Sequence, residues 1–301
     1  MTTDEHAERF TLLRPLLFTI AYEILGSATE ADDVLQDGYL RWADVDLTTV
    51  RDTKSYLARV VTRLSLNALR ASARRRENYV GPWLPEPVLL DDHDASADVL
   101  LTESVSMAML VVLETLTPDE RVVFVLREVF GFSHDDIAAT VGKSVGTVRQ
   151  AAHRARRHVQ ARRKRFGPVD TATTARITEQ FMTAATTGDT QGLLAVLADD
   201  ATLTADGGGK TLAARHPVVG AQAVAARLVS LFHKRRAAPG LRVETVNCNN
   251  SPALVAYRGD HVEGAFLIEI TGNEITDIYA IRNPDKLLAL AEPRRISRTP
   301  N

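Results

Sequence analysis

Ser144, Thr147, Arg149, Gln150, His153 and Arg154 fall on one side of a helical period and carry hydroxyl, guanidinium, amide and imidazole groups. Donors of these types, aligned on one helix with Gly146 among them, suit the base edges and phosphates of duplex DNA. An Arg paired with guanine, or a Gln with adenine, discriminates by ~1–3 kcal/mol per bidentate contact. Arg156, Arg157, Arg162, Arg163, Lys164 and Arg165 follow, with no acid until Asp170. Beside a reading helix, such a run supplies phosphate contacts.

The flanking sequence contains the elements needed to position that helix. Thr117-Pro118-Asp119-Glu120 predicts a helix start, with a capping Thr, Pro in the first turn and a Glu that closes a capping box. Val122, Val123, Val125, Leu126 and Val129 supply its buried stripe, and Phe130-Gly131-Phe132 interrupts it. Ser133, with Asp136 three residues on, opens a short second helix through Ile137, Ala138 and Val141. Gly142 suits the left-handed turn between crossed helices, and Ser144 caps a third helix from Val145 to about Val159. A basic run alone is usually a solvated face. Here the caps, the small Ala138 at the helix contact, the turn glycine and the inward Val148 coincide, and they favour a helix-turn-helix.

Composition sets the outer bounds. The chain has 301 residues, 45% of them hydrophobic, enough for two or three domains with their own cores. Its net charge of −2 averages basic blocks at 70–76 and 149–165 against an acidic segment at 86–103, so local charge decides its partners. The single cysteine, Cys248, excludes an internal disulfide and a Cys-cluster metal site. No apolar run reaches the length of a membrane span, and Met1 to Arg9 is polar. The expectation is a soluble cytoplasmic protein without a cofactor.

Towards the N-terminus, Phe10, Leu13, Leu16, Leu17, Ile20, Ala21 and Ile24 repeat with a helical period that ends at Gly26. A second helix places Val34, Leu35, Tyr39 and Trp42 on or near a buried stripe and Asp32, Asp33, Gln36, Asp37 and Arg41 outward. A third, from Ser55 to about Arg76, puts Arg59, Arg63, Asn67 and Arg70 on a polar face that continues into Arg74, Arg75 and Arg76. That face suits a nucleic-acid backbone or an unstacked base, and equally an ordinary solvated surface.

Together, the run Asp32 to Trp42, the helix Tyr56 to Arg76 and the block Leu116 to Arg157 resemble regions two and four of the extracytoplasmic-function sigma factors of bacterial RNA polymerase. Trp83-Leu84-Pro85-Glu86-Pro87, Asp206-Gly207-Gly208-Gly209-Lys210 and Asn283-Pro284-Asp285-Lys286-Leu287 resemble the subgroup that carries a fused C-terminal SnoaL-like domain. The resemblance implies two all-α sigma domains, the second with the helix-turn-helix, followed by an α+β SnoaL-like (NTF2-like) cone. Expected boundaries are 1–77 for region two, 78–99 for a Pro-containing linker, 100–168 for region four and 169–301 for the SnoaL-like domain with its tail. By the resemblance, Asp32, Asp33, Gln36, Asp37 and Trp42 lie in the segment that docks on core RNA polymerase. Arg59, Arg63, Asn67 and Arg70 lie near the helix that melts and reads the promoter minus 10 element. Ser144, Thr147, Arg149, Gln150, His153, Arg154 and Arg157 belong to the minus 35 reader. The three shorter motifs are expected to meet and to regulate the spacing of the two DNA-binding regions.

Pro82, Pro85 and Pro87 hold the linker extended, and Trp83 is an apolar anchor either for the nearest core or for an interdomain clamp. Asp91, Asp92, His93 and Asp94 read as solvated acids rather than metal ligands. Beyond them, Thr174 to Leu197 predicts one or two helices broken near Gly188-Asp189, then a strand at 201–205, a glycine-rich turn and a helix at 221–233. Four strands follow at 241–248, 252–257, 262–270 and 274–281, with Gly272-Asn273 as a hairpin turn. Helices first and a meander last predict helices on one face of a curved sheet. Cones of this kind often hold a small molecule, and some related domains are isomerases, cyclases or hydrolases. Asp206, His216, Tyr257 and His261 are the candidate groups, but no catalytic pair emerges from their spacing. Gly207 to Gly209 lack the Lys-Ser or Lys-Thr of a phosphate loop and read as a close backbone approach. The tail Arg294 to Asn301 is expected to be mobile. Two alternatives stay open: a one-component helix-turn-helix regulator with a ligand-sensing C-terminal domain, and a SnoaL-like enzyme with an accessory DNA-binding half.

Overall fold

A computed structural model describes residues 2–76, 78–90, 98–162, 170–236 and 240–299. The chain forms two compact units that interleave in sequence. The first comprises Met1–Asn78, Leu90–Arg163 and Pro293–Asn301, and the second Tyr79–Leu89 and Lys164–Glu292. The segment Tyr79–Leu89 therefore belongs to the C-terminal unit, and Pro293–Asn301 belongs to the N-terminal one.

The named elements of the first unit, among the described residues, are helices. Helices α1 (Thr2–Leu25), α2 (Ala28–Ala43) and α3 (Thr53–Arg76) pack through Leu16, Leu17, Ile20, Ile24, Leu35, Leu57 and Val61, all buried. α1 begins earlier than the apolar period suggested, because its first turns are polar. Gly26 has φ +69° and Ser27 caps α2 by accepting from the Glu30 amide at 3.0 Å, so the reversal between α1 and α2 takes two residues. The second half contains α4 (Val99–Ser104), α5 (Met107–Leu113), α6 (Pro118–Phe124), a π-helical turn at Val125–Val129, α7 (His134–Val141) and α8 (Val145–Arg162).

The second unit is α+β. Helices α9 (Thr171–Thr187) and α10 (Thr190–Leu194) separate at Gly188, whose φ of +79° closes α9. Strands β1 (Leu197–Asp206), β2 (Val218–Val219), β3 (Leu241–Cys248), β4 (Ser251–Arg258), β5 (His261–Thr271) and β6 (Glu274–Ile281) form one sheet in the order β2-β1-β6-β5-β4-β3. β3 to β6 are the expected antiparallel meander, while β1 lies parallel to β6. α11 (Ala221–Arg236) joins α9 and α10 over the sheet, and the short α12 (Pro284–Leu287) follows β6. Phe181, Leu203, Leu228, Leu254, Phe266, Ile268 and Ile278 fill the space between helices and sheet. Burial pushes the Cys248 thiol up to about 12, so it stays protonated.

Candidate functional site

The helix-turn-helix is locally determined. Ser133 Oγ accepts from the Asp136 amide at 3.1 Å to start α7, and Gly142, at φ +69°, donates to the Ala138 carbonyl at 2.9 Å to end it. Ser144 Oγ then accepts from the Thr147 amide at 3.1 Å to start α8. Val148, Ala151, Ala152, Ala155 and Val159 face inward, leaving Ser144, Gly146, Thr147, Arg149, Gln150, His153, Arg154 and Arg157 exposed. Two outward arginines are oriented from behind by acids: Arg154 meets Glu120 at 2.7 Å and Arg156 meets Glu128 at 2.6 Å. Partial burial would raise the Glu120 carboxyl, but hydrogen bonds from Arg154 and Thr117 outweigh it and hold it below the usual range. The end of the basic run, Arg163 to Arg165, lies outside the described residues.

On α3, Arg59, Arg63, Asn67 and Arg70 are exposed along one face. Two of them are engaged by the helix-turn-helix half of the same unit. Arg63 donates through Nε to the Thr140 carbonyl at 2.8 Å and through its terminal nitrogen to the Ala139 carbonyl at 2.9 Å, capping the electronegative end of α7. Arg70 pairs with Asp119 at 2.7 Å, and Lys143 reaches the other Asp119 oxygen at 2.6 Å. Burial acts upward on Asp119, and the two cations more than reverse it. The side chains of Arg74, Arg75 and Arg76 lie outside the described residues.

On α2, Asp33, Gln36, Asp37 and Arg41 are exposed, and Asp32 at their edge is half-buried between Arg14 (3.2 Å) and Arg294 (2.8 Å). Trp42 does not share that face. It is fully buried, with Nε1 donating to the His6 carbonyl at 2.9 Å and the ring against His6 and Tyr56. Its place is beneath the surface, because an indole with one donor and a large apolar body gains more from the α1–α3 interior.

Asp206, at the end of β1, is the centre of the second unit. Both carboxylate oxygens are used: Oδ1 accepts from the Tyr79 hydroxyl at 2.5 Å, and Oδ2 from the Leu84 amide at 2.9 Å and from Lys286 Nζ at 2.8 Å. Lys286 also donates to the Leu84 carbonyl, and its Nζ lies 3.2 Å from the Trp83 ring centroid. Asn283 Nδ2 donates to the Tyr79 oxygen at 2.8 Å, and Lys210 meets Asp285 at 2.5 Å. Trp83, Leu84 and the two C-terminal motifs thus converge on one buried carboxylate. The glycines permit the approach. A Cβ on Gly208, at φ +58°, would strike the Asn283 amide and the Tyr79 hydroxyl, and one on Gly209 would press Val80. Pro85 is buried beside Leu84, and Pro284 opens α12 under the Asn283 cap. A cavity of about 170 Å³ adjoins the loop, lined by Val80, Gly81, Gly207, Gly209 and Arg215 among others. That is roughly the size that holds a benzene ring.

The other candidates for chemistry do not join this centre. Tyr257 on β4 is separated from Asp206 on β1 by β6 and β5, about 14 Å at one strand spacing each. His216 and His261 are exposed. Among the described residues no cluster of His, Cys, Asp and Glu could hold a metal ion, and Asp91 to Asp94 lie outside them. No described helix is long and apolar enough to cross a membrane.

Three features escaped the sequence reading. Tyr79 donates the shortest bond to Asp206, but nothing in its neighbourhood marked it. Burial, then the adjacent carboxylate, push its hydroxyl well above the usual range, so it remains a donor. A buried polar seam joins α1 to the second half of the first unit. Arg121, 1% exposed, donates to the Glu23 carbonyl at 3.0 Å and pairs with Glu114 at 2.7 Å, and Ser104 donates to the Glu23 carboxyl at 2.7 Å. A Glu within the apolar run Ile20 to Leu25 was the available signal. The tail was expected to be mobile, but its residues Arg294 to Arg298 are attached, with Ile296 buried; their partners are remote in sequence.

Comparison with known proteins accounts for this architecture. The profile of Sigma-70 region 2 matches residues 10–75, and that of Sigma-70 region 4 matches residues 106–159. The chain is 34% identical over 288 residues to the ECF RNA polymerase sigma factor SigJ of Mycobacterium tuberculosis, covering 92% of this chain and 91% of that protein. It is 31% identical over 276 residues to the probable sigma factor SigI of the same species, covering 91% and 92%. The crystal structure of SigJ superposes with a TM-score of 0.74 at 29% identity, over 94% of this chain and 98% of that one. The match to SigJ runs on through the C-terminal α+β unit as well as the two sigma regions. With both sigma regions in order and a relative matched along nearly its whole length, the chain belongs to the extracytoplasmic-function family of RNA polymerase sigma factors.

Proposed function

We propose that this chain docks on core RNA polymerase through the α2 face of Asp32, Asp33, Gln36 and Asp37, with Trp42 supporting that face from beneath. Arg59, Arg63, Asn67 and Arg70 capture the minus 10 strand, and Ser144 to Arg157 read the minus 35 duplex. The observation that carries this reading is the α8 surface, where every side chain of the outward set is exposed and two arginines are held in place by acids. The chain catalyses no reaction itself. Asp206, the best candidate for chemistry, is enclosed and fully hydrogen-bonded, which suits a structural clamp.

The C-terminal domain modulates promoter use by holding Tyr79 to Leu84 on Asp206 and Lys286, which fixes how much free chain connects the two sigma regions. A small ligand of this domain would enter the cavity beside the Gly loop, next to the segment it would shift. The protein acts in the cytoplasm alongside the polymerase. Binding of the labelled full chain to core polymerase tests the docking face: Asp33→Arg with Asp37→Arg should weaken it at least tenfold, and unchanged affinity would refute that assignment.

A further inference from the structure

The nine residues from Pro293 to Asn301 follow the C-terminal sheet in sequence yet belong to the unit formed by the two sigma regions. Their attachments are specific. Arg294 pairs with Asp32 of α2 at 2.8 Å and lies 5.6 Å from the Phe18 ring centroid on α1. Its backbone forms a parallel bridge with Leu90. Ile296 is 5% exposed, and the Ser297 amide donates to Thr19 Oγ1 on α1 at 3.0 Å. Arg298 pairs at 2.9 Å with Asp98 Oδ2; the other oxygen of Asp98 caps α4 by accepting from the Leu100 and Leu101 amides. One short segment thus fastens α1 and α2 of region two to the start of the region-four half.

The same two halves also meet where Arg63 and Arg70 engage α7 and Asp119. That closed arrangement cannot read a promoter. Elements about 25 base pairs apart lie about 85 Å apart along B-form duplex at 3.4 Å per base pair, whereas Arg63 here touches the helix-turn-helix itself. Opening must break the α3 contacts and, if Pro293–Arg298 stays bound at both ends, the tail contacts too.

We propose that Pro293–Arg298 is an intramolecular clasp: it holds regions two and four closed, and Arg294 occupies an acid at the edge of the polymerase-docking face, so core polymerase and the tail compete for α2. The competition rests on the function proposed above, whereas the closure does not. A ligand whose competent state is only fractionally populated binds with its affinity reduced by that fraction, so releasing the clasp raises affinity for polymerase.

The test uses the full chain in a Cys248→Ala background, with dyes at Leu12→Cys on α1 and Gln160→Cys on α8, both exposed positions. Single-molecule energy transfer without polymerase reads closure, and titration with core polymerase reads competition. Arg294→Glu with Arg298→Glu should move a large part of the population to low transfer and tighten polymerase binding severalfold. Truncation after Glu292 should do the same, as a second route that introduces no new charge. Unchanged transfer in both variants overturns the clasp. Opening with unchanged polymerase affinity overturns the competition. Opening when neither variant nor parent binds polymerase would support the clasp and refute the proposed function instead.

Discussion

Lys286 donates to Asp206 at 2.8 Å with both side chains essentially inaccessible to water, 3% and 0% exposed, and the Trp83 ring closes over the ammonium. Removing one partner from a buried pair strands the other charge, at a cost of about 3–5 kcal/mol. Lys286→Met should therefore destabilise the C-terminal unit by that order, and Lys286→Met with Asp206→Asn should recover part of the loss. The chain has two tryptophans, Trp42 and Trp83. Urea unfolding of a Trp42→Phe background reports this unit through Trp83. Equal stability of the single and double variants would contradict the pairing.

Gly208→Ala tests the close approach of the loop. The new Cβ would collide with Asn283 and Tyr79 at a residue that already has positive φ. We expect a loss of about 1–3 kcal/mol from strain of this kind, with greater exposure of Trp83 to an aqueous quencher. Gly272→Ala is the control: its φ is also positive, but no atom lies within 4 Å of the added carbon.

Burial raises the Glu23 carboxyl from 4.5 to about 8, against the opposing hydrogen bond from Ser104 and the charges of Arg121 and Arg298. The folded form therefore holds a proton that the unfolded form has released between about pH 5 and 8. Stability should fall as pH rises through that window, by at most about 1.4 kcal/mol per unit, and level off above it. Glu23→Gln keeps an acceptor for Ser104 and should flatten that slope while stabilising the protein at pH 8. An unchanged slope would show that Glu23 is not the titrating group.

Arg149→Ala and Gln150→Ala should relax preference at individual minus 35 positions by ~1–3 kcal/mol each. Arg157→Ala should instead weaken all sequences alike and reduce the salt slope of binding by ~0.9. Competition titrations of the polymerase-bound protein with substituted promoter duplexes separate the two behaviours.

Much of this was legible because it is local. Thr117 and Ser133 start helices with side chains that bond three residues on, and Gly142 ends one through its backbone amide and positive φ, so the helix-turn-helix could be placed from them. The strand limits at β3 to β6 followed from alternation and from the turn at Gly272. What stayed hidden depends on contacts between remote residues. Val218–Val219 is too short to show a period. Trp42 falls on the buried stripe that the helical period marks, but its partners His6 and Tyr56 are remote in sequence. Arg294, Ile296 and Arg298 read as an ordinary basic terminus until Asp32, Thr19 and Asp98 are brought beside them. Tyr79 needs Asp206 and Asn283 in place before its hydroxyl has a role.

Run-off transcription asks whether the chain initiates transcription, using purified core RNA polymerase, the full chain and the promoter region of its own gene. A sigma factor gives a discrete product that requires both proteins and is lost with Asp33→Arg and Asp37→Arg. Tight binding of the chain alone to duplex, with no product and no association with polymerase, would contradict that activity and favour a one-component regulator.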